Sequence, residues 1–550
     1  MYVDAYFDRK KDKILVAERV NGQRILKEID PSHTFYYEHP SGGHKTIYGD
    51  SVRKYSSNNY RKFTKELGLM HSKKKRIFES DINPIFRTFA DHYMGADTPS
   101  LHISMIDIET DFDPDKGFAP ADDPFNAITA ISVHCKWLNE LITMALCPPT
   151  LSLDEARALV SDIPNTVIFD DEVQLLDAFL STIEDADLIS GWNSNLYDLP
   201  YIVGRLQRLM PKWLPRLCLW GQTPRPRYVM KFKKDRLTYD LVGRVHLDYY
   251  ELYQKHNQQQ LHSYRLDYVG EIEVGENKIP YDGSLDQLYK QEFRKFIDYN
   301  RQDVALLVKI DDKRRFIELS NQVAHANCVT LKATLGSVAL VEQAVINEMH
   351  AMNVIAPDRQ RTLDERAGIS EDEDDENAPV VGAYVSQPKT GKHEKVGCVD
   401  LNSLYPNTII STNMSPETII GQFDSTETDA LIAKRISEGC SPAEAWEGMF
   451  HTLEYGHIIN ETDALLTLEY DDGHKRTMTG KEWYSFIFNP NNHMCVTANA
   501  TVFRTDVDGI IPILLKKWYA ERQILQAEEA FYDALLDGIE VPPELVEKLK

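Results

Sequence analysis

Met105-Ile106-Asp107-Ile108-Glu109-Thr110 alternates apolar and polar residues. That is the period of a β-strand, so Asp107 and Glu109 share one face. Two carboxylates side by side repel unless a cation lies between them, and a divalent ion is a common occupant. Alone, the segment fits equally well an amphipathic strand with a solvated acidic face. Two further acids occur in suitable settings. Asp198 follows Gly191-Trp192-Asn193-Ser194-Asn195-Leu196-Tyr197, where a buried strand gives way to a helix; the simplest role there is a helix cap. Tyr299 and Asp303 lie four apart in a helical stretch and share a face. Taken together the set has a common chemical use. Cleaving a phosphodiester needs a nucleophilic water, charge relief on the phosphoryl oxygens and a stabilised leaving oxygen. Two divalent ions about 4 Å apart, held by Asp and Glu, supply all three. Tyr299 would orient the attacking water.

The elements that must position these residues follow from periodicity. Residues 1 to about 100 hold short strand patterns (2–7, 14–19, 23–29 and 34–38) and a helix over 83–94, capped by Asn83 with Pro84 at its first position. From Leu101 the pattern becomes α/β. Strands are predicted at 127–135, 166–169 and 187–191, and a helix at 172–183. A hairpin is predicted over 228–245, and a long helical stretch, continuous or broken, from 285 to 324.

Composition sets the frame. A chain of 550 residues is too long for one core and predicts three or four domains. No apolar run is long enough to cross a bilayer, the N-terminus lacks a signal-peptide layout, and the seven cysteines form no CxxC pair. These features predict a cytoplasmic protein without structural zinc. The net charge of −24 does not exclude nucleic acid, because net charge says little about local fields. Glu371–Glu376 is an acidic run, whereas Lys73–Arg76, Arg225–Arg236 and Lys313–Arg315 include basic clusters. Each cluster alone reads as solvated surface.

Asp107-Ile108-Glu109, Asn193 with Asp198, and Tyr299 with Asp303 resemble the three 3′–5′ exonuclease motifs of family B DNA polymerases. Asp400-Leu401-Asn402-Ser403-Leu404-Tyr405-Pro406-Asn407 resembles the first palm motif of that family, in the same order along the chain. Gly382-Ala383-Tyr384-Val385 resembles the element linking the two halves. Within the family, 278–283 and 508–512 are similar to segments of the replicative polymerases of T-even-like tailed bacteriophages, as, less closely, is 413–418.

The resemblance implies a multidomain α/β and α+β architecture. A β-rich N-terminal domain would comprise 1–100 and roughly 316–378, with an RNase H-like exonuclease domain at 101–315. A partial palm would cover 379–508 and the start of helical fingers 509–550. It also implies Mg²⁺, two ions per active site, with Mn²⁺ as a substitute. Asp107, Glu109, Asp198 and Asp303 would hold metal in one site; Asp400 and the Leu401 carbonyl would hold it in the other. Ser403, Leu404, Tyr405 and Arg522 would contact the nucleotide, with Tyr405 as the steric gate. Phe118, Asn193 and Lys278 would contact DNA. The implied partners are primer–template DNA, a single-stranded 3′ end and dNTPs; no membrane is implied. If phage-encoded, the protein would work in the host cytoplasm.

The sequence departs from the family in three respects. No Tyr-Gly-Asp-Thr-Asp hairpin and no Lys…Asn-Ser-x-Tyr-Gly helix occurs, and the lysine expected one turn after Arg522 is Gln526. Tyr470-Asp471-Asp472-Gly473 reads as a hairpin turn, and Asp506-Val507-Asp508 leads into Pro512 and a helix over 511–536. The expectation is therefore half a polymerase site, completed by a C-terminal chain that would also carry the clamp-binding tail; some phage relatives are split in this way. A truncated product, a stand-alone exonuclease and a nucleic-acid-binding repressor module are the alternatives.

Overall fold

The computed structural model describes residues 1–231, 234–257, 259–359, 390–401, 403–442 and 444–536. The acidic run at 371–376, the linking element at 382–385, Asn402 and the segment after 536 lie outside them. The chain forms two compact units, Met1–Gly43 with Val52–Asn347, and His44–Ser51 with Glu348–Lys550.

In the first unit the N-terminal strands Tyr2–Asp8, Lys13–Val20 and Gln23–Ile29 form an antiparallel meander. The predicted helix spans Pro84–Tyr93, and Asn83 caps it by accepting the Ile85 N–H. A further helix, Tyr60–Ser72, precedes Lys73–Arg76.

The following α/β portion is built on a six-stranded mixed sheet. Its order is Thr166–Phe169, Glu140–Leu146, Ile128–Cys135, Ile103–Thr110, Leu188–Ser190 and Val245–His246. The Ile103–Thr110 strand lies inside this sheet, paired antiparallel to Ile128–Cys135 and parallel to Leu188–Ser190. Alternation works as predicted: Ile106 and Ile108 enter a core with Leu175, Phe179 and Leu199. Met105, on the opposite face, packs in a cluster with Leu188, Val304 and Leu307.

The helical stretch after 284 is three helices, Leu285–Gln291, Phe293–Arg314 and Phe316–Asn327. The second ends where Arg315 adopts a left-handed φ of 53°. The hairpin begins and ends earlier than predicted, at Arg225–Lys231 and Lys234–Asp240. Its second strand cannot run to Val245 because Gly243 turns the chain at φ 80°; Val245–His246 then joins the main sheet.

The second unit contains a five-stranded antiparallel sheet, ordered Lys475–Thr479, Leu465–Tyr470, Ile419–Phe423, Thr501–Arg504 and Met494–Val496. Trp483 fills its core against Phe423, Leu466 and Leu468 and donates its indole N–H to the Leu466 carbonyl at 2.9 Å. The Asp471–Gly473 turn closes a hairpin, with Gly473 at φ 84°. The Ile510–Leu536 helix starts on a segment that supplies its caps. Asn413 Oδ1 accepts the Gly509 N–H, Glu417 Oε1 accepts that of Ile510, and Ser415 Oγ accepts that of Ile511. No described helix is long and apolar enough to cross a membrane.

Candidate functional site

Two periodicities bring the acids together. Met105, Asp107 and Glu109 share one face of the inner strand. Along the Phe293–Arg314 helix, Phe296, Asn300, Asp303, Val304 and Leu307 are buried at three- and four-residue spacing. Val304 and Leu307 share the Met105 cluster, so that helix face is turned toward the same side of the sheet. As a result Asp107, Glu109 and Asp303 each offer a carboxylate oxygen within 4.8 Å of the others.

Asp198 reaches the strand from the next element. It opens the Asp198–Leu209 helix, but its Oδ1 accepts the Ile108 N–H at 3.1 Å rather than capping its own helix. The preceding loop is tightly specified. A Cβ on Gly191 would lie 2.8 Å from the Ile106 carbonyl oxygen and 2.9 Å from Ser194 Cβ. Asn193 takes a left-handed φ of 61°. Asp248, which caps the Tyr249–His256 helix, accepts N–H groups from Asn193, Asn195 and Tyr250 at 2.9, 3.0 and 2.9 Å. Burial pushes its carboxyl up to about 7 against these bonds.

Lys278 lies among the acids. Its Nζ is 2.5 Å from Asp303 Oδ2 and 3.3 Å from Tyr299 Oη. Tyr299 also meets the Tyr281 ring edge-on at 5.3 Å. Lys278, Tyr281 and Tyr299, with Asp107, Trp192 and Asn193, line an open cleft of 1010 Å³. Phe118 lies on the loop after the strand, half-exposed and edge-on to Phe112 at 5.0 Å.

The electrostatics follow from crowding like charges. Burial raises the Asp107 carboxyl well above its ordinary value, and Asp303, Glu109 and Asp198 add to this. Burial and then Asp303 push Glu109 up to about 8; burial pushes Asp198 up to about 7. Asp303 is raised by burial, with Lys278 opposing. Burial alone would lower the Lys278 ammonium, but Asp303 and Asp107 outweigh it and hold it up. One lysine cannot balance four carboxylates. Asp303 Oδ1 is buried with no hydrogen-bond partner. An all-oxygen donor set with an unfilled buried carboxylate oxygen fits a hard divalent ion.

The polymerase-type residues form no such cluster among the described residues. Asp400 and Leu401 are exposed. Ser403, at φ 51°, precedes the Leu404–Ser411 helix, which buries none of its side chains. Leu404 is 48% and Tyr405 77% exposed. Arg522 lies on the long helix beside Trp518, Leu525 and Gln526. Asp506 pairs with Arg504 and Asp508 with Lys516. Two features at the acid cluster escaped the sequence reading. One is the ion pair of Lys278, whose only signal was a lone cation in a polar loop. The other is Asn300, which adjoins Tyr299 on a helix face already marked by Asp303.

Residues 62–269 match the exonuclease domain of DNA polymerase family B, and residues 329–530 match DNA polymerase family B. The first match holds Asp107, Glu109, Asn193 and Asp198, and the second runs from before Asp400 to beyond Arg522. Among curated relatives, the DNA-directed DNA polymerase of Escherichia phage RB69 is 28% identical over 297 residues, 52% of this chain and 31% of the relative. That of Enterobacteria phage T4 is 26% identical over 273 residues, 49% of this chain and 29% of the relative. A DNA polymerase of Pyrococcus glycovorans is 28% identical over 267 residues, 47% of this chain and 32% of the relative. Each match spans less than a third of the relative's own length. The chain therefore has a family B DNA polymerase architecture, an exonuclease domain followed by part of a polymerase domain.

Proposed function

We propose that the first unit is a 3′–5′ exonuclease acting on the single-stranded 3′ end of a primer. The observation that carries this is the convergence of Asp107, Glu109 and Asp303 oxygens within 4.8 Å, in a chain that matches the exonuclease domain of the family. Asp107, Glu109, Asp198 and Asp303 would hold two Mg²⁺ ions, with Mn²⁺ as a substitute. When bound, such ions supply charge relief on the phosphoryl oxygens and a nucleophilic water. Tyr299, steadied by Lys278 and Tyr281, orients that water through its hydroxyl. Lys278 balances part of the acidic charge on Asp303 and presents its ammonium to the phosphate. Asn193 and Phe118 hold the terminal nucleotide, Phe118 by stacking.

The second unit binds dNTPs through Ser403, Leu404, Tyr405 and Arg522, with Asp400 and the Leu401 carbonyl toward metal. Asp400 belongs to no group of three or more metal-ligating side chains among the described residues, and DNA synthesis needs a C-terminal partner carrying further palm acids; a sliding clamp would act through that partner. The test uses the purified chain, a 5′-labelled primer–template and Mg²⁺, with and without dNTPs. Stepwise shortening that Asp107→Ala/Glu109→Ala lacks supports the proposal. Shortening that survives in the double variant overturns the exonuclease assignment, and primer extension by the chain alone overturns the need for a partner.

A second reading, a nucleic-acid-binding module, rests on a separate observation. Arg61, Lys62, Lys65, Lys73, Lys74 and Lys75 crowd the Tyr60–Ser72 helix and the turn after it, and none forms an ion pair among the described residues. RNA affinity that falls steeply with salt and survives Asp107→Ala/Glu109→Ala would support that reading. Absent or salt-independent binding would remove it.

A further inference from the structure

Asn300 is fully buried on the helix that carries Tyr299 and Asp303. Its Nδ2 donates to Asp107 Oδ2 at 2.8 Å and to the Asp107 main-chain carbonyl at 3.4 Å. Among the described residues this is the one hydrogen bond to the Asp107 carboxylate. Against the ionised carboxylate that a metal ligand must be, the opposite amide orientation would set two acceptors against each other, so the bond fixes which end of Asn300 faces the acid. Asn300 Oδ1 is left buried without a partner. That cost is accepted only if the Nδ2 contact matters, because an unpaired buried acceptor costs about 1–3 kcal/mol.

We propose that Asn300 is a positioning residue: it pins Oδ2 of Asp107 and leaves Oδ1 turned toward the divalent ion. The chemistry favours an amide in this place. Asp107 is pressed by Glu109, Asp303 and Asp198 and would turn away from them if unrestrained. A neutral donor restrains it without adding a positive charge that would compete with the metal. Lys278 already supplies such a charge at Asp303. Hydrogen bonds to metal-ligating carboxylates of this kind typically affect metal affinity or activity 10–100-fold.

The inference rests on the divalent-ion reading of the site, and Mn²⁺ binding separates the two. The full chain is titrated with Mn²⁺ by electron paramagnetic resonance, and thermal unfolding is followed in EDTA. The proteins compared are wild type, Asn300→Ala, Asn300→Ser and Asp107→Ala. Ser is too short to reach Asp107 but keeps a polar group in the buried space, so it guards against a variant that fails to fold. Both Asn300 variants should bind Mn²⁺ about 10–100-fold more weakly, whatever their change in unfolding temperature. A merely structural role would lower the unfolding temperature and leave the affinity within twofold, which overturns the proposal. If wild type binds no Mn²⁺, or Asp107→Ala binds it as wild type does, the divalent-ion reading falls and the proposal with it.

Discussion

Glu109→Gln should stabilise the metal-free protein at alkaline pH and weaken its response to a divalent ion. The Glu109 carboxyl rises from 4.5 to about 8, because burial penalises its charge and Asp303 repels it. A raised value in the folded state means that folding holds the proton more tightly. The contribution of the protonated acid is therefore complete below pH 4.5 and is lost as pH climbs through about 8. At 1.36 kcal/mol per pH unit, wild type loses about 4 kcal/mol by pH 8 relative to acid pH. A glutamine, uncharged throughout, does not. For a unit of this size that corresponds to roughly 8 °C in melting temperature. The assay is calorimetry in EDTA from pH 5 to pH 8.5, read at the transition that Mn²⁺ raises. The variant should match wild type near pH 5 and melt progressively higher than wild type toward pH 8.5. Mn²⁺ should raise wild type more than the variant. A melting difference that does not change with pH would refute the reasoning.

Four further substitutions, at three positions, test neighbouring parts of the site. Asp198→Asn keeps an acceptor for the Ile108 N–H and should lower exonuclease turnover at least 100-fold, in line with loss of a metal ligand, while unfolding at pH 5 stays near wild type. Asp198→Ala strands that buried N–H and should cost a further 1–3 kcal/mol in denaturant titrations. Lys278→Met removes the cation on Asp303; in EDTA it should destabilise the protein by about 2 kcal/mol at pH 8 and less at pH 5, because the unpaired acid can then take up a proton. Gly191→Ala places a methyl group against the Ile106 carbonyl oxygen and Ser194. It should cost about 1–3 kcal/mol and reduce exonuclease turnover, measured by unfolding and primer shortening.

Where one element imposes its own period, the site was readable before the structure. Alternation along 105–110 gave the shared face of Asp107 and Glu109, and four-residue spacing paired Tyr299 with Asp303. The Gly473 turn and the Asn83 cap were legible because each needs one residue type at one position. What failed to show depends on contacts between distant segments. Lys278 lies 25 residues from Asp303 in a polar loop, and nothing local says that its ammonium turns into the acids instead of outward. An asparagine in a helix carries no mark of its acceptor, so Asn300 stayed unread. The Glu140–Leu146 strand was missed because all its residues after Glu140 except Thr143 are apolar and do not alternate, a pattern that strands and buried helices share. The second hairpin strand was drawn too long because β-prone residues continue past Gly243, whose turn outweighs them.

Asp248 gathers N–H groups from Asn193, Asn195 and Tyr250 onto one carboxylate, and the Tyr249 N–H bonds to the Gly191 carbonyl beside them. Chain positions more than 50 residues apart are thereby clasped, and the backbone between them forms a closed loop from which the Arg225–Asp240 hairpin projects. Asp198 lies inside that loop and the Ile103–Thr110 strand outside it, so the Ile108 N–H donated to Asp198 is a second tie between the loop and the central strand. Asp198 is thereby held by reference to the base of the loop and to the strand that carries Asp107 and Glu109, and the spacing of the acids depends on both ties at once.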